Sequence, residues 1–162
     1  MNKLIQWLIL LGASVLVIVL VMLYFFDRAE TAISKFATYE DAQKAGAIGE
    51  SKWLPDWLPK TATNIHETHN IDTNQVWLEF RVDTASALTA QGCEAVEKSG
   101  YKDKLPNLAE SLATKLGHDT SALISEEQTL LYSCRSQTKT RWGVIFQPSS
   151  RSVWSWNSIA GK

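Results

Sequence analysis

Histidine and carboxylate side chains lie close together in the segment His66-Glu67-Thr68-His69, and Asp72 follows just beyond it. Zinc accepts imidazole nitrogens and carboxylate oxygens as ligands, so the segment has suitable chemistry for a metal site. The surrounding residues predict a β-strand, however, and positions three apart on a strand point to opposite faces, whereas the helical zinc motif needs histidines four apart. We therefore interpret the segment as a polar strand and turn, and we expect no metal and no other cofactor.

Recognisable catalytic motifs are missing from the sequence. It has no Gly-x-Ser-x-Gly elbow, no phosphate-binding glycine loop and no Cys-x-x-Cys pair. His118 beside Asp119 could orient a base, but the histidine follows a predicted helix end, where it would interact with the last carbonyl groups. We predict that the protein is not an enzyme. Because catalytic triads assemble from distant residues, a hydrolase that uses His66, His69 or His118 remains an alternative.

The two cysteines, Cys93 and Cys134, fall in a predicted helical region and on a predicted strand. A helix packed on a sheet can bring two sulfur atoms together, and a bridge that closes about 40 residues would stabilise the fold by roughly 4 kcal/mol. Two separately buried thiols are the alternative. The pair is therefore a candidate disulfide.

Three tryptophans, Trp77, Trp154 and Trp156, fall on predicted strand faces that are otherwise polar. Exposed aromatic side chains are common in the energetic centres of protein interfaces, so these residues form a candidate protein-binding surface. The alternative is that helices, or the segment 53–59, cover them as part of an ordinary core.

An apolar stretch begins at Leu4 and ends at Phe26. As a helix it would be roughly 34 Å long, which suffices for a bilayer core of about 30 Å. Trp7 and Tyr24 lie near its two ends, where aromatic rings anchor at membrane interfaces. The stretch is longer than the apolar region of a cleaved signal peptide, so we predict an uncleaved transmembrane anchor over residues 4–26 that contacts the lipid bilayer.

The orientation of this anchor follows from opposing signals. Arg28, Lys35 and Lys44 follow the stretch and favour a cytoplasmic body, since positive charge tends to stay inside. The very short N-terminal tail and the two cysteines favour an oxidising compartment instead. We predict a single-pass protein of the bacterial inner membrane with a periplasmic body.

The body has the composition of one ordinary globular domain. Without Lys3 it carries 15 basic and 17 acidic side chains, a net charge of about −2, which does not favour nucleic acid as a partner. Residues 27–37 have apolar positions at helical spacing and predict a helical stalk or linker. Residues 38–162 predict a single α+β extracytoplasmic domain.

The expected fold is an antiparallel sheet of about five strands with helices packed on one face. A short helix over residues 38–46 is capped by Thr38 and ends at Gly46, and helical regions follow over 84–98 and 107–116. Prolines predict a tight turn over 53–59. The predicted strands are residues 62–69, 75–82, 128–136, 140–147 and 151–157.

The segment from Tyr39 to Phe80 resembles a family of small bacterial envelope proteins, those of the YbbD head type. The resemblance implies a short domain behind a hydrophobic or lipid-anchored N-terminus, and it implies no catalytic residues. The residues that carry it are Tyr39, Ala42, Gly46, Ala47, Trp53-Leu54-Pro55, Leu58-Pro59, Ala62, Ile65, Glu67, Asp72-Thr73-Asn74, Trp77 and Phe80.

Together these features predict a membrane-anchored, non-catalytic domain that binds another envelope protein, as an inhibitor or immunity protein binds its partner. A structural subunit of an envelope assembly is the principal alternative.

Overall fold

The computed structural model describes residues 3–49, 52–101, 120–137 and 139–157. The chain divides into two compact units, Met1–Ala32 and Ile33–Lys162. The helices of these units are α1 (Lys3–Ala29), α2 (Tyr39–Lys44), α3 (Ser86–Thr89) and α4 (Thr120–Ser125), and a 3₁₀ turn spans Lys98–Gly100.

Helix α1 is the main element of the first unit. Its large apolar side chains between Trp7 and Tyr24, where described, are 46% to 73% exposed. Among the residues that the structure describes, no helix meets both the length and the hydropathy needed to cross a membrane. The transmembrane part of the predicted fold, residues 4–26, is therefore not supported by this finding.

Seven strands form one sheet in the second part of the chain, in the spatial order β1-β2-β3-β7-β6-β5-β4. Each pair with a described register is antiparallel, which confirms the predicted α+β class with an antiparallel sheet. The strands are β1 (Thr31–Thr38), β2 (Thr63–Asn70), β3 (Gln75–Arg81), β4 (Glu94–Val96), β5 (Leu130–Arg135), β6 (Arg141–Gln147) and β7 (Ser152–Asn157).

The short helix α2 begins where the sequence predicts. The side chain of Thr38 accepts a hydrogen bond from the backbone N–H of Asp41 at 3.2 Å, which caps the helix. Gly46 then adopts a φ of +66°, a conformation that glycine tolerates better than other residues.

Residues 27–37, predicted as a helical stalk or linker, are helical only as far as Ala29. Helix α1 ends at Ala29, and strand β1 follows beside β2 at one edge of the sheet. Along β1 exposed and half-buried positions alternate, with Ile33 exposed and Phe36 packed against the core. Helical spacing of three apolar residues was outweighed here by pairing with a neighbouring strand.

The long helical region predicted for residues 84–98 is wrong. Helix α3 covers only four residues, Gly92 adopts a φ of +80°, and strand β4 pairs with β5. Gly92 interrupts the helix, and the following residues supply one more edge strand. The helix predicted at 107–116 lies outside the described residues.

Side chains are buried on both faces of the central strands, whereas the sequence predicted helices on one face only. On β3, Leu78 and Phe80 belong to one buried cluster and Trp77 to another. On β6, Val144 and Ile145 divide in the same way. Because neighbouring residues of a strand point to opposite faces, the sheet carries two separate cores.

Each core is covered by a different part of the chain. Leu54, Trp57 and Leu58, from the loop after α2, pack in the first cluster. Leu123 and Ile124 of α4 pack against the second, which contains the buried tryptophans. The loop that covers the first core also forms one wall of the cleft described below.

Gly143 on β6 makes the second core possible, because Trp156 lies across it from the neighbouring strand. A Cβ atom at Gly143 would lie 2.5 Å from Cζ2 of Trp156, far inside van der Waals contact. We expect Gly143→Ala to lower the free energy of unfolding by about 1–3 kcal/mol through this overpacking. Urea denaturation provides the measurement.

Gly100→Ala is the matched control for this experiment, since an added Cβ at Gly100 meets no atom within 4 Å. It should unfold within about 0.5 kcal/mol of the wild type. Equal unfolding midpoints for the two variants would contradict the close packing of Trp156 on Gly143.

Candidate functional site

A cleft of about 250 Å³ lies at one end of the sheet. The loop between α2 and β2 forms one wall, and the ends of strands β3, β6 and β7 form the other. The residues most relevant to binding are Lys52, Trp53, Asp56, Val76, Trp142 and Asn157. The cleft thus combines two indole rings with a carboxylate and a lysine.

Trp53 is the aromatic wall of the cleft and is 38% exposed. One side of its indole stacks on the imidazole of His69, with ring centroids 3.5 Å apart and planes 10° from parallel. The neighbouring Leu54 and Pro55 fix its backbone, since Leu54 is 1% exposed and bridges to Ile48. Trp53 is therefore held in one orientation although much of its surface faces solvent.

His69 in turn is supported by a buried carboxylate. Its Nδ1 lies 2.5 Å from Oε1 of Glu67, two residues earlier on β2, and the two side chains are 6% and 0% exposed. Burial raises the pKa of the Glu67 carboxyl above its ordinary value, although hydrogen bonds with His69 and Ser34 and the charge of His69 act in the opposite direction. The pair forms a rigid polar support behind Trp53.

Strand β2 places the side chains of the segment His66-Glu67-Thr68-His69 on two different faces. His66 is exposed, whereas Glu67 and His69 point into the first core opposite Leu78 and Val76 of β3. The described residues contain no group of three histidine, cysteine or acidic side chains that could hold a metal ion. Asp72 lies in the β2–β3 turn, where its N–H donates to Oδ1 of Asn70.

Asp56 anchors the loop to the hairpin between β5 and β6. Its Oδ2 accepts a hydrogen bond from the backbone N–H of Gln137 at 2.8 Å. Its Oδ1 is enclosed by protein atoms and has no hydrogen-bond partner among the residues that the structure describes. One oxygen therefore holds the two walls of the cleft together, while the charge of the group remains incompletely compensated.

Asn157 closes the opposite corner of the cleft. Its Oδ1 accepts the backbone N–H of Val76 at 2.9 Å, and its Nδ2 donates to the carbonyl of Asn74 at 3.0 Å. This amide continues the contact of β3 with β7 beyond the last backbone pair, Trp77 and Trp156. These two hydrogen bonds fix the Asn157 side chain at this side of the cleft.

The tryptophans predicted as a protein-binding surface, Trp77, Trp154 and Trp156, are buried, so that prediction is wrong. The three residues are 3%, 8% and 4% exposed, and Trp77 stacks on Trp156 with ring centroids 6.2 Å apart. Tyr101, together with α4, covers them. The physical reason is that the second sheet face needs its own hydrophobic core.

The two cysteines are brought together. Cys93 and Cys134 form a disulfide with Cα atoms 4.3 Å apart, and Cys134 is fully buried. Cys93 lies immediately before β4, not in a helix. The bond therefore holds the edge of the sheet together and is distant in the strand order from β2, which carries Glu67 and His69.

Trp53 and Asp56 were not predicted as functional residues, although residues 53–59 were predicted as a tight turn. The sequence shows two tryptophans in this segment, and only the structure shows that Trp57 is buried and Trp53 is partly exposed. His118 and Asp119 lie outside the described residues. The loop between α2 and β2 thus places an aromatic ring and a carboxylate at the same cleft.

Residues 30–81 match the YbbD head domain family. This confirms the resemblance identified between Tyr39 and Phe80. The matched segment includes Trp53, Asp56, Glu67 and His69, whereas Trp142 and Asn157 come from outside it. No curated protein and no solved structure gives a significant match to the chain.

The buried Glu67 should give the protein a characteristic dependence of stability on pH. Its folded pKa lies above the ordinary value of 4.5, so between the two values the folded state binds more protons than the unfolded state. The contribution of this group to the free energy of unfolding is therefore complete below pH 4.5 and declines as pH rises through the folded pKa. Glu67→Gln should remove that decline, as measured by urea denaturation from pH 4 to 8.

Glu127→Gln serves as the control for this titration because Glu127 is exposed. The difference in stability between wild type and Glu67→Gln should change with pH, and the difference between wild type and Glu127→Gln should stay flat. Parallel curves for all three proteins would show that Glu67 ionises without cost in the folded state.

Proposed function

We propose that this protein is a non-catalytic binding module held at a bacterial inner membrane by its N-terminal helix, with its body on the periplasmic side. Its cleft would receive a segment of another envelope protein, as in complexes of an inhibitor or immunity protein with its target. The single observation that carries the proposal is Trp53, a large aromatic side chain that is partly exposed yet fixed against His69.

The stacking of Trp53 supports binding for an energetic reason. A partner that packs on a freely rotating side chain loses part of its binding energy in immobilising that side chain, at about 0.5–1.5 kcal/mol for each. His69 and Glu67 have already immobilised the indole. Rigid tryptophans at the edge of a cleft are frequent energetic centres of protein interfaces.

The contacts of His69 and Glu67 argue against the hydrolase alternative. A nucleophilic mechanism needs a hydroxyl or thiol in hydrogen-bond contact with the histidine. Among the described residues, the polar partner of His69 is Glu67, and the imidazole is covered by Trp53. We therefore assign the pair a supporting role for the binding site.

The membrane anchor is proposed from the sequence over residues 4–26 and from the apolar side chains that α1 exposes. Leu10, Leu11 and Leu16 are each at least 60% exposed, and burying such groups in lipid is favourable. An anchor of this kind would keep the binding cleft near partners in the same envelope.

The cleft can be tested by placing a photo-crosslinking benzoylphenylalanine at Lys52, which lines it, in cells that express the full chain. We expect a reproducible adduct with one envelope protein. Trp53→Ala in the same chain should reduce adduct formation strongly, because removing a central interface tryptophan costs about 2 kcal/mol or more of binding energy. Gel mobility and mass spectrometry of the adduct provide the measurement.

Lys60 offers a matched control position, since it is also an exposed lysine but does not line the cleft. The probe at Lys60 should give no adduct with the same partner. Equal adducts from both positions, or an adduct that survives Trp53→Ala in a folded protein, would argue against the cleft as the binding site.

The anchor can be tested separately by fractionating cells. The full chain should remain with the membranes after extraction at alkaline pH, and a chain that begins at residue 27 should be released. Release of the full chain under these conditions would contradict an integral membrane anchor.

A further inference from the structure

The Asp56 carboxylate lies in the wall of the cleft without a positively charged partner among the described residues. Gln137 donates one backbone N–H to Oδ2, and Oδ1 has no donor. A single neutral hydrogen bond compensates a carboxylate charge only in part. The negative potential of the group therefore extends into the cleft.

The indole of Trp53 adds to this negative potential. The faces of an aromatic ring are electron-rich, and a cation within about 6 Å of the ring is attracted to them. His69 occupies one face, so the exposed part of the ring is available from the cleft. Trp53 and Asp56 are three residues apart in the same loop and line the same cavity.

Lys52 is the cation that the chain itself places at this cleft. It is exposed; its backbone N–H donates to the carbonyl of Gly49, but its ammonium group forms no hydrogen bond or ion pair with a described residue. A lysine that made the compensating ion pair with Asp56 would lie within 4 Å of the carboxylate. Lys52 therefore leaves the Asp56 carboxylate available to an incoming cation and competes with that cation only weakly.

We infer that the occupant of the cleft is a cationic side chain of the partner protein, an arginine or a lysine, which stacks on Trp53 and is attracted by the charge of Asp56. This inference rests on the proposed binding function and names the chemistry of the partner. An acidic side chain would be repelled by Asp56, and a neutral side chain would gain from the indole alone. Only a cation is attracted by both the indole of Trp53 and the carboxylate of Asp56.

The experiment compares two probes that differ only in charge, N-acetyl-arginine amide and N-acetyl-citrulline amide. Each is titrated into the full chain in micelles of an uncharged detergent, and the indole N–H signals of Trp53 and Trp142 are followed by NMR. The arginine probe should shift both signals with millimolar affinity, and the citrulline probe should bind roughly tenfold more weakly.

Three variants identify the source of the preference. Asp56→Asn should remove the difference between the probes, since the amide oxygen can still accept the Gln137 N–H. Asp83→Asn is the control, because Asp83 is 83% exposed and lies beyond the opposite end of β3, and it should keep the preference. Lys52→Gln should tighten arginine binding by a factor of a few, as a competing charge is removed.

Equal affinity for both probes would overturn the inference and leave a neutral binding cleft. Failure of the arginine probe to shift the signals would also overturn it. The proposed function is tested independently by the adduct from Lys52, so an adduct without arginine preference would refute the cationic partner alone. Absence of any adduct from the probe at Lys52 in the otherwise unchanged chain would refute the binding function itself.

Discussion

Side chains on the central strands must be buried on both sides, and the rest of the domain is arranged around that requirement. Strands β3, β7 and β6 lie side by side and alternate residues between two clusters, so neither face can be left to solvent. The loop after α2 covers one face, and α4 with Tyr101 covers the other. Gly143 permits the close approach of Trp156 that fills the second cluster.

The candidate site forms where the loop after α2 covers the first face of the sheet. The loop reaches the end of the sheet, turns at Pro55, buries Leu54 and Trp57, and leaves Trp53 at the margin. Strand β2 ends at the same place and presents His69 beneath the indole, with Glu67 behind it. A polar pair that costs desolvation energy is retained within the core where it orients an exposed aromatic ring.

This arrangement changes the basis of the binding hypothesis. Aromatic residues on the strands, the first candidates for a docking surface, fill a core, whereas a tryptophan from a loop provides the exposed ring. Loops positioned by a rigid sheet commonly carry binding residues, because their side chains need not serve the core. The Asp56 carboxylate gives this particular loop a charge preference in addition to an apolar surface.

The sequence by itself determined the features that depend on local pattern: the capped helix α2, the turn around Pro55, and strands β2, β3, β5, β6 and β7 to within about two residues. It also named the cysteine pair. Only the tertiary structure decided that residues 31–38 form a strand, that residues 94–96 form another, and that Trp77, Trp154 and Trp156 are buried. The physical reason is that edge strands and buried aromatic residues acquire their state from distant neighbours. The stacking of Trp53 on His69, 16 residues apart along the chain, is such a contact, and no local spacing could have predicted it.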